Sequence, residues 1–166
     1  MAYCVPPSGQ GVVCLFSKSA AENLPTGSTI IGFDTNNSIN SPIITNQYTL
    51  VGDNSTFVVN TSGIYTVEGN ISVSANGATW AVLQKTFGVQ LTRGATSNIV
   101  IGSVTANQTS TNNYSFHVNF TFPFLVGDQI QFVHTGTVTS GTPTALGLAS
   151  GFDLNTWCVF TFVRSI

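Results

Sequence analysis

The chain has 166 residues and a mass of 17.5 kDa, the size of one ordinary domain. Hydrophobic residues make up 42% of it but charged residues only 6%, against roughly a quarter in an average soluble protein. With four Lys and Arg and a net charge of −2, it lacks the basic surface that a nucleic-acid binder needs.

The hydrophobic content speaks against disorder, which couples low hydrophobicity to high net charge. No apolar run approaches the ~18 residues of a membrane helix, so no membrane insertion is expected. The polar share is uncharged: 23 Thr, 17 Ser and 15 Asn. Val and Ile total 29 residues, Leu and Met only 10. Branched and aromatic side chains suit a pleated surface, and strong helix formers are scarce. The fold class predicted is therefore all-β.

In chain order, residues 1–10 read as an irregular N-terminal arm with Pro6, Pro7 and Gly9. A first strand is predicted over Val12–Ser17, then a loop over 18–29. Short extended pieces follow near Ile30–Phe33 and Ile43–Leu50, and a strand over Thr56–Val59. Ser62-Gly63 opens a long strand to Ala75. Along it Tyr65, Val67, Gly69, Ile71, Val73 and Ala75 alternate with Thr66, Glu68, Asn70, Ser72 and Ser74. That period of two gives one apolar and one wet face. Asn76-Gly77 is a turn signal.

Strands near Ala81–Thr92 and Ile99–Thr105 come next, split by Arg93-Gly94. The tract Ala106–Asn113 reads as a polar loop. A second cleanly alternating strand runs over Tyr114–Phe124, with Tyr114, Phe116, Val118, Phe120 and Phe122 inward. Gly127-Asp128 turns the chain into Gln129–Thr135. Residues 136–153, rich in Gly and Thr, read as the longest loop, and Thr156–Val163 as the last strand. Eight to ten strands with a turn every ~8–12 residues indicate a sandwich or jelly roll. No repeat or linker divides residues 11–166, which read as one jelly-roll domain.

The two end strands are apolar on both faces: Val12, Val13, Cys14, Leu15 and Phe16, and Trp157, Cys158, Val159, Phe160, Phe162 and Val163. A strand apolar on both sides must be covered on both sides. One cover is the partner sheet. The second is expected to be another copy of the chain, or else the arm or long loop folding back. Val13, Leu15, Trp157, Val159 and Phe160 are the expected subunit contacts. His117, on the polar face of its strand, joins them if that face meets its own copies. Three copies of it would then meet as a metal site or pH sensor; the other reading is a solvent-facing or hydrogen-bonded strand residue.

Two segments carry a resemblance. Phe57-Val58-Val59-Asn60-Thr61-Ser62-Gly63-Ile64-Tyr65 resembles the entry into the long central strand of the TNF and complement globular-head superfamily. Phe122-Pro123-Phe124-Leu125-Val126-Gly127-Asp128-Gln129-Ile130 resembles its later hairpin, and the strand from Trp157 to Arg164 sits where that family ends. The resemblance implies a jelly roll of about ten strands that assembles as a compact homotrimer, with the first and last strands near the subunit contacts. Viral and bacterial spore-surface members share the low charge and the Thr and Asn richness. The collagen-like stalk that often precedes the domain is absent, which speaks against a stalked fibre.

The segment Met1–Pro7 has no basic n-region and no apolar h-region, so no secretory signal is read. An exterior composition without a signal suggests a particle assembled in the cytoplasm and released. A virion is the first expectation and a spore surface the second. The partners are then other copies, other particle or capsid proteins, and a host receptor or glycan.

Cys4, Cys14 and Cys158 show no metal-ligand spacing. Cys14 and Cys158 read as buried thiols, with a Cys4–Cys14 disulfide as the alternative. Asn36, Asn54, Asn60, Asn70, Asn107, Asn113 and Asn119 begin Asn-x-Ser/Thr triplets, which matter only in a secretory compartment. Asp34, Asp53, Asp128 and Asp153 sit in turns, where Asp bonds nearby backbone; calcium is the functional alternative. No nucleophile elbow or paired base is visible. No catalytic residue, cofactor or metal is therefore assigned. The loop residues Trp80, Thr137, Thr139, Thr142 and Thr144 are the candidate contacts for a receptor or glycan.

Overall fold

The computed structural model describes residues 12–36, 48–50, 55–81, 84–107, 113–147 and 155–166. Every element in them is a β-strand and every pairing is antiparallel. The strands are β1 (Val12–Ser17), β2 (Glu22–Asn23), β3 (Gly27–Ile30), β4 (Thr35–Asn36), β5 (Tyr48–Leu50), β6 (Phe57–Val59), β7 (Gly63–Ser74) and β8 (Thr79–Trp80). They continue with β9 (Gln84–Arg93), β10 (Thr96–Asn107), β11 (Tyr114–Phe124), β12 (Gln129–Gly136), β13 (Val138–Ser140), β14 (Thr144–Ala145) and β15 (Trp157–Arg164).

Two sheets face each other. The first runs β4-β1-β15-β7-β11, with β14 and β2 alongside the far end of β7. The second runs β10-β9-β12-β6-β5, with β3 also on β12. The alternation read in β7 is what folds it: every second residue from Gly63 to Val73 is buried and those between are half-exposed. The buried rows meet in an aromatic core. Phe57 contacts Phe16 at 4.9 Å and Phe160 at 5.0 Å between ring centroids, and Phe132 contacts Phe33 at 5.4 Å. Each fully buried side chain of this kind contributes roughly 1.5–3 kcal/mol over an exposed one. Gly69 lets the sheets close, because a Cβ there would stand 2.4 Å from the Phe132 ring.

Turns join the strands by their own chemistry. Asn76 and Gly77 both hold positive φ, 49° and 71°, the left-handed pair of a type I′ turn. Gly127, at φ 87°, occupies the third position of a turn closed by Asp128 N–H donating to Leu125 O at 3.1 Å. Arg93 braces it: Nε and Nη2 donate to the two Asp128 carboxylate oxygens at 2.9 and 2.6 Å. Leu125 N–H donates to the same carboxylate at 2.8 Å. Asp128 is therefore a turn residue held by a fork. No cluster of three metal-ligating side chains occurs among the described residues.

The fold differs from the sequence reading in places: of the extended piece expected near Ile30–Phe33, only Ile30 lies in a strand. The expected loop 18–29 contains β2 and β3, and the described part of 136–153 contains β13 and β14. These strands have two to four residues, too few to show a period. The arm, Cys4, Asp53, Asp153 and most of Ile43–Leu50 lie outside the described residues.

Candidate functional site

Alternation gives the first sheet an outer face, turned away from the core. The registers align its rows across the strands. One row holds Ser17, Trp157, Asn70 and His117. The next holds Leu15, Val159, Glu68 and Asn119; the one after it holds Thr161, Thr66 and Thr121, with Val13 at the register position opposite Thr161. Leu15, Trp157 and Val159 are half-buried there, while His117 and Asn119 are exposed. The His117 and Trp157 rings meet at 5.7 Å across the strand that carries Asn70. The face is thus apolar on the β1–β15 side and polar on the β11 side.

Phe160 does not belong to this face. It is fully buried and touches Phe57 and Phe132. The strand period of two sends Val159 and Phe160 to opposite sides, so the expected contact at Phe160 is corrected to the interior. Cys158, on the same inner row, is buried, as expected.

A second apolar surface lies on the flank where β10 and β11 end the two sheets. Ile99, Ile101, Val104, Phe120 and Phe122 are half-buried there. The Phe120 ring presses on Gly102, where a Cβ would stand 2.4 Å away. Phe120 and Phe122 keep the inward parity read from the sequence, but the flank leaves them half-covered.

The loop residues divide. An open groove of about 530 Å³ runs between Asn23–Thr26 and Val138–Thr142. Thr139 and Thr142 line it; Trp80, Thr137 and Thr144 do not. Two of its hydroxyls are engaged: Thr26 Oγ1 donates to Val138 O at 2.6 Å, and Thr139 Oγ1 donates to Thr79 O at 3.1 Å. Thr144 Oγ1 accepts from Asn76 at 3.1 Å.

Trp80 is no exposed platform. Its indole lies 4.5 Å from Lys85 Nζ and faces Tyr114 and His134, each at 6.1 Å. Lys85 and His134 are each only 1% exposed. The Tyr114 hydroxyl and His134 Nε2 stand 2.9 Å apart. Burial lowers the Lys85 ammonium and raises the Tyr114 phenol. Burial, and then the nearby Lys85 charge, push His134 down to about 4. No sequence motif announces this cluster, because Trp80, Lys85, Tyr114 and His134 come together only through the strand pairing.

No protein-family model matches the sequence, and no curated protein matches it. Solved structures match its shape. Murine APRIL at pH 5.0 superposes with a TM-score of 0.63 and 11% identity, over 93% of this chain and 100% of that one. Murine APRIL at pH 8.5 gives the same values, and at pH 8.0 a TM-score of 0.64 and 10% identity. The fold is TNF-like. Identity this low speaks for shape alone. The TNF-like jelly roll was the architecture expected from the Gly63-Ile64-Tyr65 and Gly127-Asp128 segments.

Proposed function

We propose that the protein is a non-enzymatic surface protein that acts as a homotrimer, by assembly and contact, on the outside of a particle. The observation that carries the assembly is the pair of separate apolar surfaces: the outer face with Leu15, Trp157 and Val159, and the flank with Phe120 and Phe122. A twofold dimer needs one self-complementary patch, whereas a closed ring joins two different surfaces head to tail. Three is the number implied by the superfamily that the sequence resembles. A virion is the proposed particle and capsid proteins the proposed neighbours. Support for these is the low charge and the Thr and Asn richness.

Val159→Asp tests the assembly. It places a charge on the covered face without touching the core. The expected product is a soluble, β-rich monomer by light scattering and circular dichroism. A trimer unchanged by this substitution overturns the proposal.

The groove between Asn23–Thr26 and Val138–Thr142 supports a second reading, a module that binds a neutral, hydroxyl-rich ligand such as a glycan. Glycan-array binding abolished by Thr142→Arg would favour it. Retention on purified particles by the same variant would favour the first.

A further inference from the structure

Glu68 is the one carboxylate among the described residues on the outer face of the first sheet. It sits in the row of Val159 and Asn119, in the middle of that face. Among the described residues it makes no salt bridge; the two present are Lys18–Glu22 and Arg93–Asp128. A carboxylate covered by another copy must be paired, because an unpaired buried charge is strongly unfavourable.

The chain has only four Lys and Arg. Lys18 is held by Glu22, and Arg93 by Asp128. Lys85 is enclosed in the core beside Trp80. Arg164 stands opposite Ile64, beyond an irregularity in β15 and four residues along β7 from Glu68, roughly 13 Å away at strand spacing. That leaves His117. It pairs with Asn70 and so lies one row diagonally from Glu68 on the neighbouring strand, within reach of a long side chain. The remaining described face is uncharged: Leu15 and Ser17 from β1, Trp157, Val159 and Thr161 from β15, Thr66, Asn70 and Ser72 from β7, Ser115, Asn119 and Thr121 from β11.

We propose that when a second copy covers this face, Glu68 pairs with His117 of its own chain, so that the assembly loosens as the imidazole loses its proton. This rests on the trimer proposed above. While the face is wet, water satisfies both groups; covering it removes the water and favours the charged pair. Assembly then favours the protonated imidazole. The pair holds where the carboxylate is ionised and the imidazole protonated, and it is lost as pH rises through the range, about pH 5 to 8, in which histidines change charge. The other histidine does not interfere, since His134 is held down at about 4.

The experiment measures trimer dissociation of the full chain by light scattering on dilution, at about pH 6 and about pH 8. The wild type is expected to dissociate roughly a hundredfold more readily at the higher pH. Glu68→Gln should remove that difference and stay trimeric at both. His117→Gln should behave at both as the wild type does at the higher pH, and Arg164→Gln should follow the wild type. A wild-type trimer equally tight at both pH values overturns the pair and leaves the trimer standing. Loss of the trimer in Arg164→Gln, with His117→Gln unaffected, overturns it in favour of another cation. A monomer at every pH overturns the trimer itself. Circular dichroism of each variant verifies that it is folded.

Discussion

The Tyr114 hydroxyl stands 2.9 Å from His134 Nε2, and this contact joins the two sheets through the core. His134 is 1% exposed, and its Nδ1 is a buried atom without a hydrogen-bond partner. Protonating it would place a second positive charge beside Lys85. The folded protein therefore resists the proton that the unfolded chain accepts. His134 moves from an ordinary 6.5 to about 4, so its neutral form supports the fold fully above about pH 6.5. That support is lost as pH falls toward about 4, by about 3 kcal/mol in all. Urea unfolding at fixed protein concentration should show this slope, and His134→Gln should flatten it. A wild-type stability that is level from about pH 7 to about pH 4.5 would contradict the assignment.

Phe160 and Val159 are neighbours with opposite fates. Phe160→Ala removes a ring from contact with Phe57 and Phe132 and should cost about 3–5 kcal/mol of folding free energy. Val159→Ala changes a half-buried residue on the outer face and should cost under about 1 kcal/mol in the separated chain. Thermal melts of both, made on the monomeric Val159→Asp background for Phe160, separate folding from assembly. Equal melting losses would mean that the face assignment of β15 is wrong.

The difference between these two residues marks how far the sequence could be read. The alternation of β7 and the bounds Tyr114–Phe124 of β11 are visible in the residues alone, because long strands with one wet face declare their period. In β15 both rows are apolar, so parity gives no sign of which row is inside, and the sequence alone groups Phe160 with Val159 although it is buried in the core. Strands as short as β2 and β14 carry no period at all. They are held by distant partners, as when Asn23 pairs with Thr144. The nearness of Glu68 to His117, and of Lys85 to Trp80, depends on strand register, which composition and spacing do not reveal.

The Arg93–Asp128 fork holds the turn between β11 and β12. Asp128 is 2% exposed, and the Arg93 side chain is 37% exposed. Among the described residues, Arg93→Ala leaves the carboxylate only its bond from Leu125 N–H. The expected loss is about 2 kcal/mol, below that of a fully buried pair because water reaches Arg93. Chemical denaturation measures it. Amide exchange at Leu125 and Gly127 should quicken in the same variant, and unchanged protection there would remove the fork from the account of the turn.

The sequence offers Trp80 as a ligand contact, and in the fold its indole packs against Lys85, Tyr114 and His134. Trp80→Ala would strip the indole from Lys85, Tyr114 and His134, with an expected loss of about 3 kcal/mol. Thr142→Ala, at the groove, should leave the melting temperature within about 1 °C. If Trp80→Ala kept full stability yet abolished binding to a ligand, the indole would be a contact residue after all.

The central claim is that the outer face of the β1–β15–β7–β11 sheet is covered by another copy of the same chain. The most direct test is the mass of the wild-type protein in dilute solution, measured by light scattering at about pH 6, within the range where histidine carries charge. A mass of about three chains of 17.5 kDa each is the predicted result. A stable, folded species of one chain mass, with Trp157 still shielded from a soluble quencher, would contradict it.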